Sequence, residues 1–141
     1  MKFQYASAMG KDKYNHYPLI DVVFKNPENQ LSLKIKALVD SGATDTYING
    51  QIADALGIKL EDCEEDLTQG IVGPKTKTYR CDLILKLAQD NLEFNIKAFI
   101  IPDLKTTALL GQNGFFEFYK VVFNLNQHEF EVIQIPPFKK K

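Results

Sequence analysis

The chain has 141 residues, a formal net charge of −1, 45% hydrophobic residues and 25% charged residues. This balance is typical of a soluble globular protein, and the length fits one domain that buries about two-thirds of its unfolded surface. A charge near zero gives no general attraction for nucleic acid or for anionic membranes, so we predict neither as a partner. Residues 139–141 form a short basic run, which we interpret as a solvated tail.

The cellular location and the state of the two cysteines are predicted from signals that the sequence does not contain. The first ten residues contain no apolar run of the length of a secretory signal, and no other segment could span a bilayer, so we expect a cytoplasmic protein. Cys63 and Cys81 have no Cys-x-x-Cys spacing, and His16 and His128 lie far from them in the chain. We therefore predict two reduced thiols and no metal site.

The first predicted elements form a hairpin. Residues 1–16 are polar and mixed, which is typical of a loosely held arm or an edge strand. Strand-like alternation begins at residues 17–25, turn residues occupy 26–29, and alternation resumes at 31–39. The second arm of this hairpin is predicted to end at Asp40.

The end of that strand holds the first functional candidate. Three apolar residues, 37–39, run directly into Asp40 and a turn of small residues that contains Gly42. A carboxylate that directly follows a core strand is expected to be partly removed from water, unlike an ordinary exposed turn acid. Such acids are common at functional sites, so Asp40 is the leading candidate.

A short helix and an acidic segment come next. Asn49 is predicted to cap a helix that runs through Leu56 and ends at Gly57. Residues 61–66 are an acidic cluster around Cys63, which we interpret as a solvated loop because it lacks the pattern of a calcium loop.

A glycine-bracketed segment lies between predicted strands at residues 67–68 and 75–87. Its simplest interpretation is an ordinary hairpin turn. The functional interpretation is a mobile tip that lays two apolar side chains over a ligand. The segment consists of Gly70, Ile71, Val72 and Gly73.

The last third of the chain continues the pattern of strands. Residues 92–101 predict a strand, residues 108–111 repeat the theme of an apolar run ending in glycine, and residues 119–125 and 129–135 predict a hairpin. Many short strands, one clear helix and no alternation of strand and helix favour an all-β barrel or sandwich.

The motifs, taken together, resemble those of the retropepsin-like (retroviral-type, clan AA) aspartic proteases. Members carry Asp-Thr/Ser-Gly-Ala in one loop and two apolar residues followed by glycine in another. The corresponding residues here are Asp40, Ser41, Gly42 and Ala43, followed by Leu109, Leu110 and Gly111. The resemblance covers residues 17–135, between an N-terminal arm at 1–16 and a basic tail at 136–141. It implies a closed all-β barrel with one short helix and one lobe per chain.

The resemblance also implies an activity. An aspartic endopeptidase hydrolyses polypeptide with water activated between two carboxylates, so the resemblance implies that no metal and no cofactor is needed. This chain has one Asp-Ser-Gly motif and about half the length of a two-lobed enzyme, so the implied active form is a homodimer in which two Asp40 side chains meet. Ser41 would link the two loops across the dimer, and the backbone of Gly42 would accept a hydrogen bond from the substrate.

Further site residues follow from the same resemblance. The second glycine loop would be formed by Leu110 and Gly111. Substrate would be contacted by the cleft residues Ala43, Thr44 and Asp45, by a flap of Gly70, Ile71, Val72 and Gly73, and by the pocket residues Leu38, Thr107 and Leu109.

Three positions distinguish this chain within the group. Thr44 stands where retroviral enzymes commonly have an acid, and Gln112 stands where they have an arginine, so neutral groups replace a charged pair that braces those dimers. With its longer terminal hairpin, the chain is more similar to cellular or prokaryotic members. Ala43 carries no hydroxyl to favour a charged carboxylate, which predicts a mildly acidic optimum for activity.

Two other functions remain open. Residues 40–44 also fit the Asp-x-Gly-x-Thr pattern of actin-type and sugar-kinase phosphate loops, although such ATPases need a longer chain and further phosphate loops. The second alternative is a catalytically silent domain of the same fold that binds peptides or forms dimers, because a fold does not determine a function.

Overall fold

The computed structural model describes residues 1–7, 16–69 and 75–136. Twelve strands and one α-helix are found in these ranges, together with short 3-10 turns at Leu60–Asp62 and Leu125–Gln127. The helix α1 is Gly50–Ala55. The strands are β1 (Lys2–Gln4), β2 (Ala6–Ser7), β3 (His16–Tyr17), β4 (Leu19–Lys25), β5 (Ser32–Val39), β6 (Thr46–Asn49), β7 (Glu64–Gln69), β8 (Lys75–Leu87), β9 (Phe94–Ile101), β10 (Ala108–Leu110), β11 (Tyr119–Asn124) and β12 (Glu129–Gln134).

The main sheet has seven strands in the order β4-β5-β10-β6-β9-β8-β7, and a further pairing between β4 and β8 closes it on itself. Alternate residues of β4 and β8 point inward, so that Val22, Phe24, Leu85 and Leu87 are buried in the core. The predicted all-β class is confirmed. The closed sheet leaves β7 outside the ring, paired only with β8 among the described strands.

Strand β10 is inserted between β5 and β6, although it lies far from both in the sequence. It runs parallel to β5, with Leu109 opposite Leu38, and antiparallel to β6, with Leu109 opposite Tyr47. The loop that joins β5 to β6 therefore wraps around the C-terminal end of β10. This arrangement brings the Asp-Ser-Gly motif to the second glycine loop.

The predicted helix is confirmed, and its cap is visible. The Asn49 side chain accepts a hydrogen bond from the backbone N–H of Ile52 at 2.9 Å. Ile52 and Leu56 are buried against the sheet, and Gly57 follows with a φ of +69°, a conformation that favours glycine.

The prediction of a solvated loop at residues 61–66 is wrong for its second half. Glu64–Gln69 is a strand paired with β8, in which Glu64 lies opposite Arg80 and Glu65 lies diagonally from Lys77. Lys77 Nζ lies 3.5 Å from Glu65 Oε2, and Arg80 Nη1 lies 3.9 Å from Glu64 Oε2. Pairing across strands allows an edge strand to carry these charges.

A second sheet joins the two ends of the chain, in the order β1-β12-β11. Phe3 lies opposite Phe130, and their ring centroids are 5.4 Å apart. Of the two alternatives for residues 1–16, the edge strand is therefore found at Lys2–Gln4. None of the helices in the described residues is long and apolar enough to cross a membrane.

Candidate active site

Asp40 lies at the point where β5 meets the end of β10. The backbone N–H of Asp40 donates to the carbonyl of Leu110 at 2.9 Å, and the preceding Val39 N–H donates to the carbonyl of Pro18 at 2.9 Å. The buried Val39 anchors the strand, while Asp40 itself is half-buried. The side chain of Asp40 is therefore partly shielded from water, as expected for an acid that directly follows a core strand.

The turn after Asp40 is closed by the aspartate. Its Oδ1 accepts a hydrogen bond from the N–H of Gly42 at 3.0 Å, and its backbone carbonyl accepts from the N–H of Ala43 at 3.1 Å. Ser41 and Gly42 are exposed at the tip of this turn. The carboxylate is thus held by the backbone beside a surface that another molecule can reach.

Gly111 allows the two loops to touch. A Cβ atom at this position would lie 2.1 Å from the carbonyl oxygen of Asp45 and 2.7 Å from that of Ala43. Both distances are far below van der Waals contact, so no residue with a side chain fits without movement of the backbone. The glycine in the second motif is explained by this close approach.

The two residues after Gly111 extend the contact between the two loops through backbone hydrogen bonds. The N–H groups of Gln112 and Asn113 donate to the carbonyls of Ala43 and Thr44 at 2.8 and 2.9 Å. The Gln112 side chain donates through Nε2 to the carbonyl of Ser41 at 2.6 Å, and Asn113 Nδ2 donates to Asp45 Oδ1 at 3.0 Å. Neutral amides therefore brace the Asp40 loop within the chain.

Thr46 is a site residue that the sequence analysis missed. Its side chain is fully buried, and its hydroxyl donates to the carbonyl of Asn113 at 2.8 Å and accepts from the N–H of Gly111 at 3.3 Å. Next to it, Gly114 has a φ of +95°. The available signal was the Asn-Gly pair at 113–114, which is typical of a turn, but it gave no indication of the distant threonine.

The proposed pocket residues lie on the strands that frame Asp40 or, for Thr107, directly before β10. Leu38 and Leu109 are opposite each other on β5 and β10, and both are half-buried. Thr107 is exposed, and its hydroxyl donates to the carbonyl of Lys36. The four residues predicted as a flap, at positions 70–73, lie outside the described residues.

The chemistry available to the loop is that of a carboxylate held in place. A carboxylate can accept a proton as a base or, once protonated, donate one as an acid, but one group does not do both at the same moment. In the part of the chain that the structure describes, no three His, Cys, Asp or Glu side chains are grouped so that they could hold a metal ion. The absence of a metal and of a cofactor stays a prediction.

Comparison with known proteins identifies the family. The model of the gag-polyprotein putative aspartyl protease family matches residues 32–116, which include both loops and β10. The chain belongs to this family of retropepsin-like aspartic proteases, as its motifs suggested. No curated protein sequence matches the chain.

Solved structures agree on the fold. A retropepsin-like aspartic protease from Rickettsia conorii is 22% identical, and the alignment covers 94% of this chain and 89% of that one with a TM-score of 0.63. The retroviral protease-like domain of Ddi1 from Leishmania major is 18% identical, with 84% and 94% covered and a TM-score of 0.52. At these identities the likeness establishes the retropepsin-like fold.

Proposed function

We propose that the chain is an aspartic endopeptidase that acts as a homodimer on polypeptide, without a metal or cofactor, in the cytoplasm. The observation that carries this proposal is the Asp40 loop. Its carboxylate is half-buried and held by the N–H of Gly42, while Ser41 and Gly42 beside it are exposed. An acid fixed next to accessible backbone is suited to the hydrolysis of an extended peptide. Membership of the family supports the same class of enzyme.

The proposed reaction needs two carboxylates, and each chain has one Asp-Ser-Gly motif. The deprotonated Asp40 of one copy takes a proton from water, whose oxygen attacks the carbonyl carbon of the peptide. The protonated Asp40 of the second copy donates a hydrogen bond to the carbonyl oxygen. The amide nitrogen then accepts a proton as the C–N bond breaks, which releases an acid and an amine.

The remaining residues are proposed to position the substrate. The Ser41 hydroxyl links the two loops across the dimer, and the carbonyl of Gly42 accepts from the peptide backbone. Leu38 and Leu109 form an apolar surface, which favours apolar side chains beside the bond that is cut. The other proposed contacts are made by the cleft residues Ala43, Thr44 and Asp45, by Thr107, and by the flap residues Gly70, Ile71, Val72 and Gly73, with Leu110 and Gly111 supporting the loop.

Cleavage of a peptide library tests the catalytic role of Asp40. We expect the wild type to cleave extended peptides and Asp40→Asn to lose cleavage, because an amide does not accept the proton of water. Asp54→Asn on the exposed side of α1 makes the same chemical change away from the loop and should cleave like the wild type. Equal cleavage by the wild type and Asp40→Asn would rule out the assignment of Asp40.

Mixing the wild type with Asp40→Asn tests the dimer. After equal amounts have exchanged subunits, random pairing leaves about a quarter of the dimers with two aspartates, so activity per total protein should fall to about a quarter of the wild-type value. A chain that works alone would instead retain about half. Sedimentation at several concentrations should show a dimer at the concentrations used for the assay.

The same experiments distinguish the proposed enzyme from a catalytically silent domain that only binds peptides or forms dimers. Such a protein would sediment as a dimer and bind peptides or a statine-type inhibitor, but the wild type would release no products. That outcome would keep the family assignment and remove the proposed enzyme activity.

A further inference from the structure

Cys63 and Cys81 are brought together at the base of the hairpin formed by β7 and β8. In this ladder Glu64 lies opposite Arg80. Cys63 precedes Glu64 and has an extended backbone, with a φ of −99° and a ψ of 148°. Continuing the register by one residue places Cys63 opposite Cys81, although 17 residues separate them in the sequence.

The two thiols share one environment. Side chains directly opposite each other in an antiparallel pair project from the same face. Cys81 belongs to the core and is 8% exposed, and the half-buried Cys63 packs against that core. Both line a single cavity of about 270 Å³, whose wall also includes Asn26 and Gly57.

The spacing of such a pair matches that of a disulfide. Opposing Cα atoms in an antiparallel ladder are about 4.5 to 5.5 Å apart, within the range of about 4.4 to 6.8 Å that disulfides span. The sulfur of Cys63 donates to the carbonyl of Lys59 at 3.3 Å, so this weak hydrogen bond is the contact that must break.

We propose that Cys63 and Cys81 are a reversible redox site that a low-molecular-weight disulfide of the glutathione class converts into an intramolecular cross-strand disulfide. The more accessible Cys63 reacts first: its thiolate attacks one sulfur of the reagent and releases one thiolate, which leaves a mixed disulfide on Cys63. The thiolate of Cys81 then attacks Cys63 Sγ and releases the second thiolate. Two electrons and two protons pass from the protein to the reagent, which becomes two thiols.

The surroundings of the thiols make this reaction slow at neutral pH. Burial raises the pKa of Cys63, and the nearby Asp62, Glu28 and Glu61 raise it further. Burial, and then the charge of Cys63, raise the pKa of Cys81 to about 12. Because the thiolate is the attacking species, the rate of oxidation should increase with pH.

Oxidation has a structural consequence that does not depend on the proposed protease activity. The new bond joins the two ends of the β7–β8 hairpin and closes the intervening loop. It removes conformational freedom from the unfolded chain, so the oxidised protein should have a higher Tm than the reduced protein. The bond would also restrict separation of the two strands at their base.

The test is equilibration of the native protein with glutathione buffers of increasing oxidised fraction at about pH 8.5, where more thiolate is present. Alkylation, intact mass and non-reducing gels then report the state of each thiol. We expect the wild type to lose about 2 Da and both alkylatable thiols, to migrate as a monomer on the gel and to gain Tm. Excess reduced thiol should reverse the changes in mass, in free thiols and in Tm.

Single variants provide matched controls. Cys81→Ala should stop at a mixed disulfide on Cys63, and Cys63→Ser should keep one unreacted thiol, because Cys81 is buried. The proposal is overturned if the wild type accumulates only mixed disulfide, forms a disulfide between chains, or keeps two free thiols in fully oxidised buffer. Reaction of the urea-unfolded wild type in the same buffer would show that the reagent is active.

Discussion

The backbone of Gly111 lies directly against the carbonyl oxygen of Asp45, where an added Cβ atom would come within 2.1 Å. This contact joins the end of β10 to the Asp40 loop. It makes the glycine a structural requirement of the site, whatever reaction the site performs.

We expect Gly111→Ala to lower the free energy of unfolding by about 3 kcal/mol, because the methyl group forces the two loops apart. Gly42→Ala is the comparison, since its Cβ would meet the side-chain atom Asp40 Oδ1 at 3.3 Å, a close contact that a shift of a few tenths of an ångström by this side chain relieves. That variant should lose less than about 1 kcal/mol. Urea unfolding followed by circular dichroism measures both values. Similar losses for the two variants would show that the loops are not held by this contact.

The buried hydroxyl of Thr46 should contribute measurably to stability. Thr46→Val keeps the shape but leaves the carbonyl of Asn113 and the N–H of Gly111 without this partner, which should cost about 2 kcal/mol. Thr46→Ser keeps the hydroxyl and should lose less than about 1 kcal/mol. Urea unfolding should show that Thr46→Val is less stable than Thr46→Ser. If Thr46→Val is the more stable of the two, the hydroxyl does not contribute to stability.

Tyr119 should make stability depend on pH in the alkaline range. Its side chain is buried, and burial, with the charge of Asp90 and the hydrogen bond to Asp90 at 3.1 Å, raises the pKa of Tyr119 above its ordinary 10.0. The unfolded chain therefore releases this proton first. The associated stability is complete below pH 10 and is lost as pH rises toward the folded pKa.

Urea unfolding of the wild type and Tyr119→Phe between about pH 8 and about pH 11 tests this dependence. Tyr119→Phe should be less stable at pH 8, because the hydroxyl bond to Asp90 is lost, and its stability should fall less steeply above pH 10. Cys81, with a pKa raised to about 12, contributes the same trend to both proteins and cancels in the comparison. Parallel curves would refute the role of Tyr119.

The N-terminal strand should be part of the folded unit. Phe3 is half-buried and stacks on Phe130, so Phe3→Ala should lower the free energy of unfolding by about 2 kcal/mol. Lys2→Ala, at an exposed neighbouring position, should change it by less than about 0.5 kcal/mol. If Phe3→Ala leaves the free energy of unfolding unchanged, the result would instead support an arm at residues 1–16 that is separate from a domain at 17–135.

The sequence predicted those parts of the fold whose signals are local. The alternation in β8, the Asn49 cap and the Asp-Ser-Gly turn each depend on residues within a few positions of one another. Strand β7 was predicted as a loop because its acidic residues suggest solvent exposure, and the basic partners that balance them, Lys77 and Arg80, are on β8. The links from Thr46 to Gly111 and from Gln112 to Ser41 join residues 65 and 71 positions apart, so no local pattern reveals them.

The insertion of β10 between β5 and β6 sets an order for assembly. During synthesis on the ribosome, β5 and β6 emerge long before residues 108–110 exist, so the gap that β10 fills must stay open or be held by temporary contacts. The parallel pairing of β10 with β5 also joins distant parts of the chain, which slows folding. A nascent chain would therefore carry Asp40 without the Leu110 carbonyl that its N–H binds until β10 has been translated.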